Sequence, residues 1–216
     1  MSFNTMESSA AIWEVLARGK REVVSSRDLA ELARRLERKP EHVTRHLRRE
    51  GYLLPLFKGY YYVRRPEEIR LGEARHNPLE LFALAAEAKG IGSWYFGLHT
   101  ALHLNGMTHE DRRKEAVISD RFYRIRGVSI GPRKFVIHKW APELLAFGMI
   151  EKPPYRYSDT EKTVLDLAYL DYWKRRKGRA DARAWVEHLD NVNVRTLRRY
   201  LPHYPEEVKA AVEAVV

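Results

Sequence analysis

A chain of 216 residues can bury a core in one large domain or two modest ones, and its 44% hydrophobic and 11% aromatic content is that of a globular protein. The absence of Cys excludes disulfides, thiolate catalysis and Cys-based zinc or iron–sulfur sites, and no apolar run approaches the roughly 20 residues of a membrane helix. Lys and Arg number 39 against 29 acids, a formal net charge of +10 that attracts polyanions and makes nucleic acid the first partner to consider.

The excess is uneven. Residues 1–66 hold 14 Lys/Arg against 8 Asp/Glu, whereas residues 67–216 hold 25 against 21. A charge-laced surface of the thermophile type is the other reading of the same composition. The first nine residues lack the positive and apolar regions of a signal peptide, so a cytoplasmic protein is expected. Arg64-Arg65-Pro66 and the polar run to Asn77-Pro78 read as a break, because Pro ends strand pairing. The expected division is a first domain over 1–66, a connector over 67–77 and a second domain over 78–216.

In chain order, Ile12, Val15 and Leu16 share a face of a first helix that Ser8 or Ser9 would cap and Gly19 would end. Val23 and Val24 lead into Ser25, and Asp28 three residues on gives a capping-box start. Behind it Leu29, Leu32, Ala33 and Leu36 follow the helical period. Pro40 then fits the first turn of a third helix whose inward face is only Val43 and Leu47 and which Gly51 stops. Its outward face carries His42, Thr44, Arg45, His46, Arg48 and Arg49, donors suited to phosphates and guanine edges, or else a solvated basic face. Two β-prone runs, Tyr52–Phe57 and Tyr60–Val63, flank Lys58-Gly59 and predict a hairpin.

Three helices with a short basic third one, then a hairpin, are the order of a winged helix-turn-helix, in which the third helix enters the major groove. Lys58 at the hairpin tip would reach a phosphate. Tyr60 and Tyr62 share one strand face, Tyr61 and Val63 the other, so one pair is expected inside and an exposed Tyr, Tyr60 for choice, beside DNA.

At this point the sequence resembles the AbiEi-type antitoxins of abortive-infection toxin–antitoxin systems. The resemblance rests on Leu56-Phe57-Lys58-Gly59-Tyr60-Tyr61-Tyr62-Val63, on the segment from Ser93-Trp94-Tyr95-Phe96-Gly97 to Asn105-Gly106, and on Ser158-Asp159-Thr160-Glu161-Lys162-Thr163-Val164-Leu165-Asp166-Leu167. Their order along the chain carries more weight than any one of them, and the tail beyond Tyr172 matches less clearly. What the resemblance implies is a winged-helix antitoxin that represses its own operon and opposes a nucleotidyltransferase-type toxin, without requiring a stable complex.

The second domain reads as helices over Pro78–Lys89, with Leu79, Phe82, Ala83 and Ala86 inward, and over Leu98–Asn105, stopped by Gly106. Ala116–Ile118 and Phe135–Ile137 are β-prone runs on either side of a basic, Gly-containing stretch from Arg121 to Arg133, which predicts a small mixed sheet. Ser158 with Glu161 reads as a capping box for a helix that turns Val164, Leu165, Ala168 and Tyr172 to the core. Asp159, Glu161 and Asp166 give no converging ligand set for a nuclease metal, and His99, His103 and His109 lack the Glu of a zinc helix. Gly90-Ile91-Gly92 lacks the Lys of a phosphate loop. Arg175, Arg176, Lys177 and Arg179, with Arg195, Arg198 and Arg199 on a further helix, form a second basic patch for nucleic acid or an acidic partner, or a solvated face.

The expectation is therefore an α+β protein with an N-terminal winged helix-turn-helix and a mixed, helix-rich C-terminal domain. Its partner is duplex DNA, its own operator, while the second domain supplies toxin antagonism, dimerisation to a homodimer, or both. No catalytic residue, cofactor or metal is expected, and no membrane. Two rivals stay open: a winged-helix regulator whose second domain senses a small ligand, and a metal-dependent nuclease.

Overall fold

The computed structural model describes residues 3–110, 113–176 and 185–216. The protein is a mixed α/β chain in two compact units, one of Met1–Gly90 with Val128–Arg133, the other of Ile91–Gly127 with Lys134–Val216. No helix among the described residues is long and apolar enough to cross a membrane.

In the first unit the order is α1 (Phe3–Arg18), β1 (Val23–Ser25), α2 (Ser26–Arg35), α3 (Pro40–Arg49), β2 (Leu53–Pro55), β3 (Tyr60–Val63), α4 (Pro66–Leu71) and α5 (Pro78–Lys89). α1 begins at Phe3, so Ser8 and Ser9 lie inside the helix rather than at its start. α2 starts where its cap puts it: the Asp28 N–H donates to Ser25 Oγ (3.2 Å) and the Ser25 N–H returns the bond to Asp28 Oδ2 (2.8 Å). α3 takes Pro40 in its first turn and is followed by Gly51 at φ 74, a left-handed position that glycine fills without a Cβ clash.

The core of this unit joins Ile12, Leu29, Ala33, Val43, Leu47 and Val63. Val15, expected inward, is 61% exposed, and Leu36 is left at the end of α2 half in water. Trp13 takes Val15's place, stacking on Tyr52 with ring centroids 4.4 Å apart and donating its indole N–H to the Arg64 carbonyl (2.9 Å). β3 is the middle strand of an antiparallel sheet ordered β1-β3-β2, and both α5 and α1 pack on it. Tyr62 and Val63 are accordingly both buried, where alternation predicted one face in and one out.

The division predicted at residue 66 falls instead after Gly90. Pro66 opens α4, and Glu68 is buried beneath it, accepting from the Tyr62 hydroxyl (2.7 Å), the Arg65 N–H (2.6 Å) and the Arg75 N–H (2.6 Å). Burial, and then the bond to Glu68, push the Tyr62 hydroxyl well above its ordinary range. Arg75 and His76 both pair with Glu22, so residues 67–77 are tied down rather than a linker. α5, capped by Asn77, packs on β3 and β1 and sets Phe82 edge-on against Phe57 at 5.3 Å. Leu79 lies only half inside, while Leu81 and Ala85 are buried on the helix's other side.

From Ile91 on, the chain runs β4 (Trp94–Phe96), α6 (Leu98–Leu104), β5 (Lys114–Ser119), β6 (Arg124–Ile130), β7 (Arg133–Lys139), β8 (Met149–Lys152), β9 (Tyr155–Ser158), α7 (Thr160–Arg176), α8 (Val194–Tyr200) and α9 (Glu206–Glu213), with the end of β6 and the turn into β7 counted in the first unit. The mixed sheet is ordered β6-β7-β5-β4-β9-β8, with β5 parallel to β7 and β4 parallel to β9. The runs at 116–118 and 135–137 lie within β5 and β7, whereas β6 was hidden in the basic stretch. α7 is buried from Lys162 to Tyr169 and carries Val164, Leu165 and Ala168 into a core with Tyr95, Ile118 and Trp140.

The expected Ser158–Glu161 capping box is absent. The α7 cap is Asp159, whose Oδ1 accepts the Lys162 N–H at 2.8 Å, while Ser158 Oγ sits 2.7 Å from Thr163 Oγ1 and Glu161 accepts the Asn193 N–H at 2.7 Å. The helix starts one residue later than the box required, and the side chains trade roles accordingly.

Candidate nucleic-acid interface

Val43 and Leu47, four residues apart, pin α3 to the first unit's core and fix which of its faces meets water. The opposite face forms one wall of an open groove of about 760 Å³. Thr44, Arg45, Arg48 and Arg49 line it from α3, Ser26 and Ala30 from α2, and Pro55 from β2. Two basic side chains one helical turn apart, with their neighbours, thus converge on one concave surface.

The other expected contacts are placed differently. His42 is exposed but does not line the groove. The His46 side chain is only 11% exposed and meets the Arg49 guanidinium at 3.1 Å through Nδ1, with Glu50 at 3.8 Å. It therefore orients Arg49, which also donates to Glu50 at 2.9 Å. Lys58 is exposed in the turn before Gly59, whose φ of 81 closes the hairpin and whose carbonyl accepts the Ser26 N–H at 2.7 Å. That bond ties the turn to the first residue of α2. Tyr60 is half-buried, has the Lys89 ammonium 5.2 Å from its ring, and borders a separate pocket with Lys20 and Arg21.

Ser26 and Pro55 were not singled out from the sequence. The signal for Ser26 was present, since the residue after the Ser25 N-cap opens the first turn of α2. Glu41 also lines the groove, so the surface is basic without being of one sign.

In the second unit Asp159, Glu161 and Asp166 do three separate jobs. Asp159 caps α7 and accepts the Tyr200 hydroxyl (2.9 Å), and Glu161 holds the turn before α8. Asp166 is fully buried, accepting from Lys162 Nζ (3.0 Å) and the hydroxyls of Tyr204 (2.6 Å) and Tyr95 (2.8 Å). Among the described residues no three His, Asp or Glu side chains are grouped to hold a metal ion.

The tail's described basic residues do not form one patch. The bonds from Asn193 and Tyr200 fix α8 at the start of α7, whereas Arg175 and Arg176 close its far end, about 20 Å away at 1.5 Å per residue. Arg175 pairs with Asp171 at 2.8 Å, and Arg176 lies over the Tyr172 and Trp173 rings. Lys177 and Arg179 lie outside the described residues.

No family model and no curated protein matches the chain. Among solved structures its fold is similar to that of the crystal structure of the RV2827C protein from Mycobacterium tuberculosis, with a TM-score of 0.60 at 18% identity, over 94% of this chain and 73% of that one.

Proposed function

We propose that this protein is a duplex-DNA-binding regulator whose first unit is a winged helix-turn-helix that reads bases with α3. The observation that carries the reading is the groove in which Thr44, Arg45, Arg48 and Arg49 converge beside the first turn of α2. An α-helix fits the major groove, Arg is the commonest reader of guanine, and the Ser26 side chain that lines the same groove suits a phosphate. The turn carrying Lys58 is bonded to that same helix start, which suits a second backbone contact.

The two contact types separate in one experiment, binding of the full chain to the DNA upstream of its own gene and to scrambled DNA at several salt concentrations. Arg45→Ala should weaken the specific site by about 1–3 kcal/mol and random DNA little, whereas Lys58→Ala should weaken both alike and lower the salt slope by about one. Wild-type affinity in both Arg45→Ala and Arg48→Ala removes α3 as the reader.

The wider role rests on the resemblance of the wing, the Trp94–Gly106 segment and the Ser158–Leu167 segment to AbiEi-type antitoxins. We place the chain as an autoregulator that opposes a nucleotidyltransferase-type toxin in the cytoplasm, with antagonism in the second unit. Co-expression with a toxin-like neighbouring gene should rescue growth with Arg45→Ala in place and fail when residues 91–216 are deleted. Rescue by the first unit alone would sink that division of labour.

A further inference from the structure

Residues 121–126 of the second unit contain three Arg and no acid, Lys134 of β7 lies against the glycine that follows them, and the expected DNA interface uses none of these cations. β6 lies here, at the end of the sheet's strand order, with only β7 beside it. Arg121, Arg124 and Arg126 are exposed. Between them Tyr123 is 53% and Ile125 51% exposed, and the Arg124 guanidinium lies 5.3 Å from the Phe122 ring. Basic side chains are a common guard against edge-to-edge pairing, which accounts for the arginines. It gives no reason to leave a Tyr and an Ile in water beside them.

A second observation points to an anion. Lys114 and Lys134 are register partners on the parallel pair β5–β7, and both are exposed. Like charges side by side across strands destabilise a sheet. The Lys134 stem also lies against Gly127 of β6, where any Cβ would come within 2.7 Å of it, so the absence of a side chain there lets Lys134 lie across the edge strand.

We propose that this edge binds single-stranded nucleic acid, with the cations along the backbone and Tyr123 stacking on an unpaired base. Basic tracks interleaved with aromatic faces are the chemistry of sequence-tolerant strand binding, and a duplex, whose bases are already stacked, has no use for the Tyr123 ring. The surface is distinct from the α3 groove and does not depend on the reading of that groove.

The test is fluorescence anisotropy of the full chain with labelled 15-mers of oligouridylate and oligothymidylate, and with a random 15-base-pair duplex. Tyr123→Ala should weaken single-strand binding about tenfold or more and leave the duplex unchanged, and Tyr123→Phe, which keeps the ring, should restore it. Arg124→Ala with Arg126→Ala should lower the single-strand salt slope by about 0.7 for each phosphate no longer neutralised. Arg45→Ala should change none of this. Weaker binding of Tyr123→Ala to both single strands, or to one alone, supports the site and shows whether the ribose matters. Single-strand binding that is absent in the wild type, or equal in Tyr123→Ala, overturns it.

Discussion

The two units spend charge in opposite ways. In the first, the core around Val43, Leu47, Leu29 and Ile12 is apolar, and the cations of α3 are displayed on its far side. In the second, a Lys and an Asp lie at the centre: Lys162 and Asp166 are both fully buried, one helical turn apart, with the Lys162 ammonium 4.5 Å from the Phe147 ring and 5.1 Å from that of Tyr95. Burial pushes the Lys162 ammonium down against the pull of Asp166 and Asp159, and the Asp166 carboxyl up against the pull of Lys162 and the Tyr204 and Tyr95 hydroxyls. The comparison separates two meanings of a charged motif. The segment resembling the AbiEi pattern, Ser158 to Leu167, is here a cap, a hydroxyl contact and a buried ion pair joining β4, α7 and the turn at Tyr204. The segment's residue types are thus accounted for by the contacts that hold the unit together.

The largest effect should follow from breaking that centre. Asp166→Ala leaves Lys162 buried without its carboxylate and should cost the second unit about 3–5 kcal/mol, read by denaturation with hydrogen exchange of the α7 amides. The paired replacement Lys162→Met with Asp166→Leu removes both charges and should recover part of the loss, the remainder reflecting the buried Tyr95 and Tyr204 hydroxyls left without their acceptor. A cost under about 1 kcal/mol for Asp166→Ala would mean that the pair contributes little and that the contrast between the two cores is only apparent. DNA binding by α3 should be untouched in the paired variant.

What could be read from the chain follows the range of the interactions involved. α2, α3, the β2–β3 turn and α6 were legible because Ser25 with Asp28, Pro40, Gly51, Lys58-Gly59 and Gly106 act within a few residues. Four of the eight expected contacts share the groove, since a helix with two apolar positions leaves little choice of outward face. His46 escaped because a side chain at the margin of that face can fold back onto Arg49. The misplaced boundary has one cause: Pro66 was read as a terminator, yet Pro equally suits the first turn of a helix, which is where α4 uses it. Trp13 for Val15, and Tyr62 buried beside Val63, were illegible for another reason. Period alone says which residues share a face, and only the fold says how many faces are covered. β4, β6, β8 and β9 are three to seven residues long, too short for periodicity to mark against Arg-rich or Pro-containing surroundings.

The smallest effect concerns the cap that orients α2, and with it the groove wall carrying Ser26 and Ala30. Asp28 accepts from the Ser25 N–H, which holds its carboxyl below the usual 3.8 despite partial burial. A carboxylate whose folded pKa is depressed contributes stability that is present above its unfolded value and lost as pH falls through the folded one. Asp28→Asn should therefore loosen α2 at pH 7, with the gap to wild type starting to close near pH 4 and vanishing only as pH falls through the lower folded value, below which both side chains are neutral. Ser25→Ala, which removes the hydroxyl acceptor, should cost about 1 kcal/mol with a gap that survives acid. Hydrogen exchange of the Leu29–Ala33 amides, corrected for the intrinsic rate at each pH, reads both locally, which matters where two units need not unfold together. An Asp28→Asn gap that stays constant from pH 7 to pH 3 would show that the carboxylate's charge does not stabilise the start of this helix.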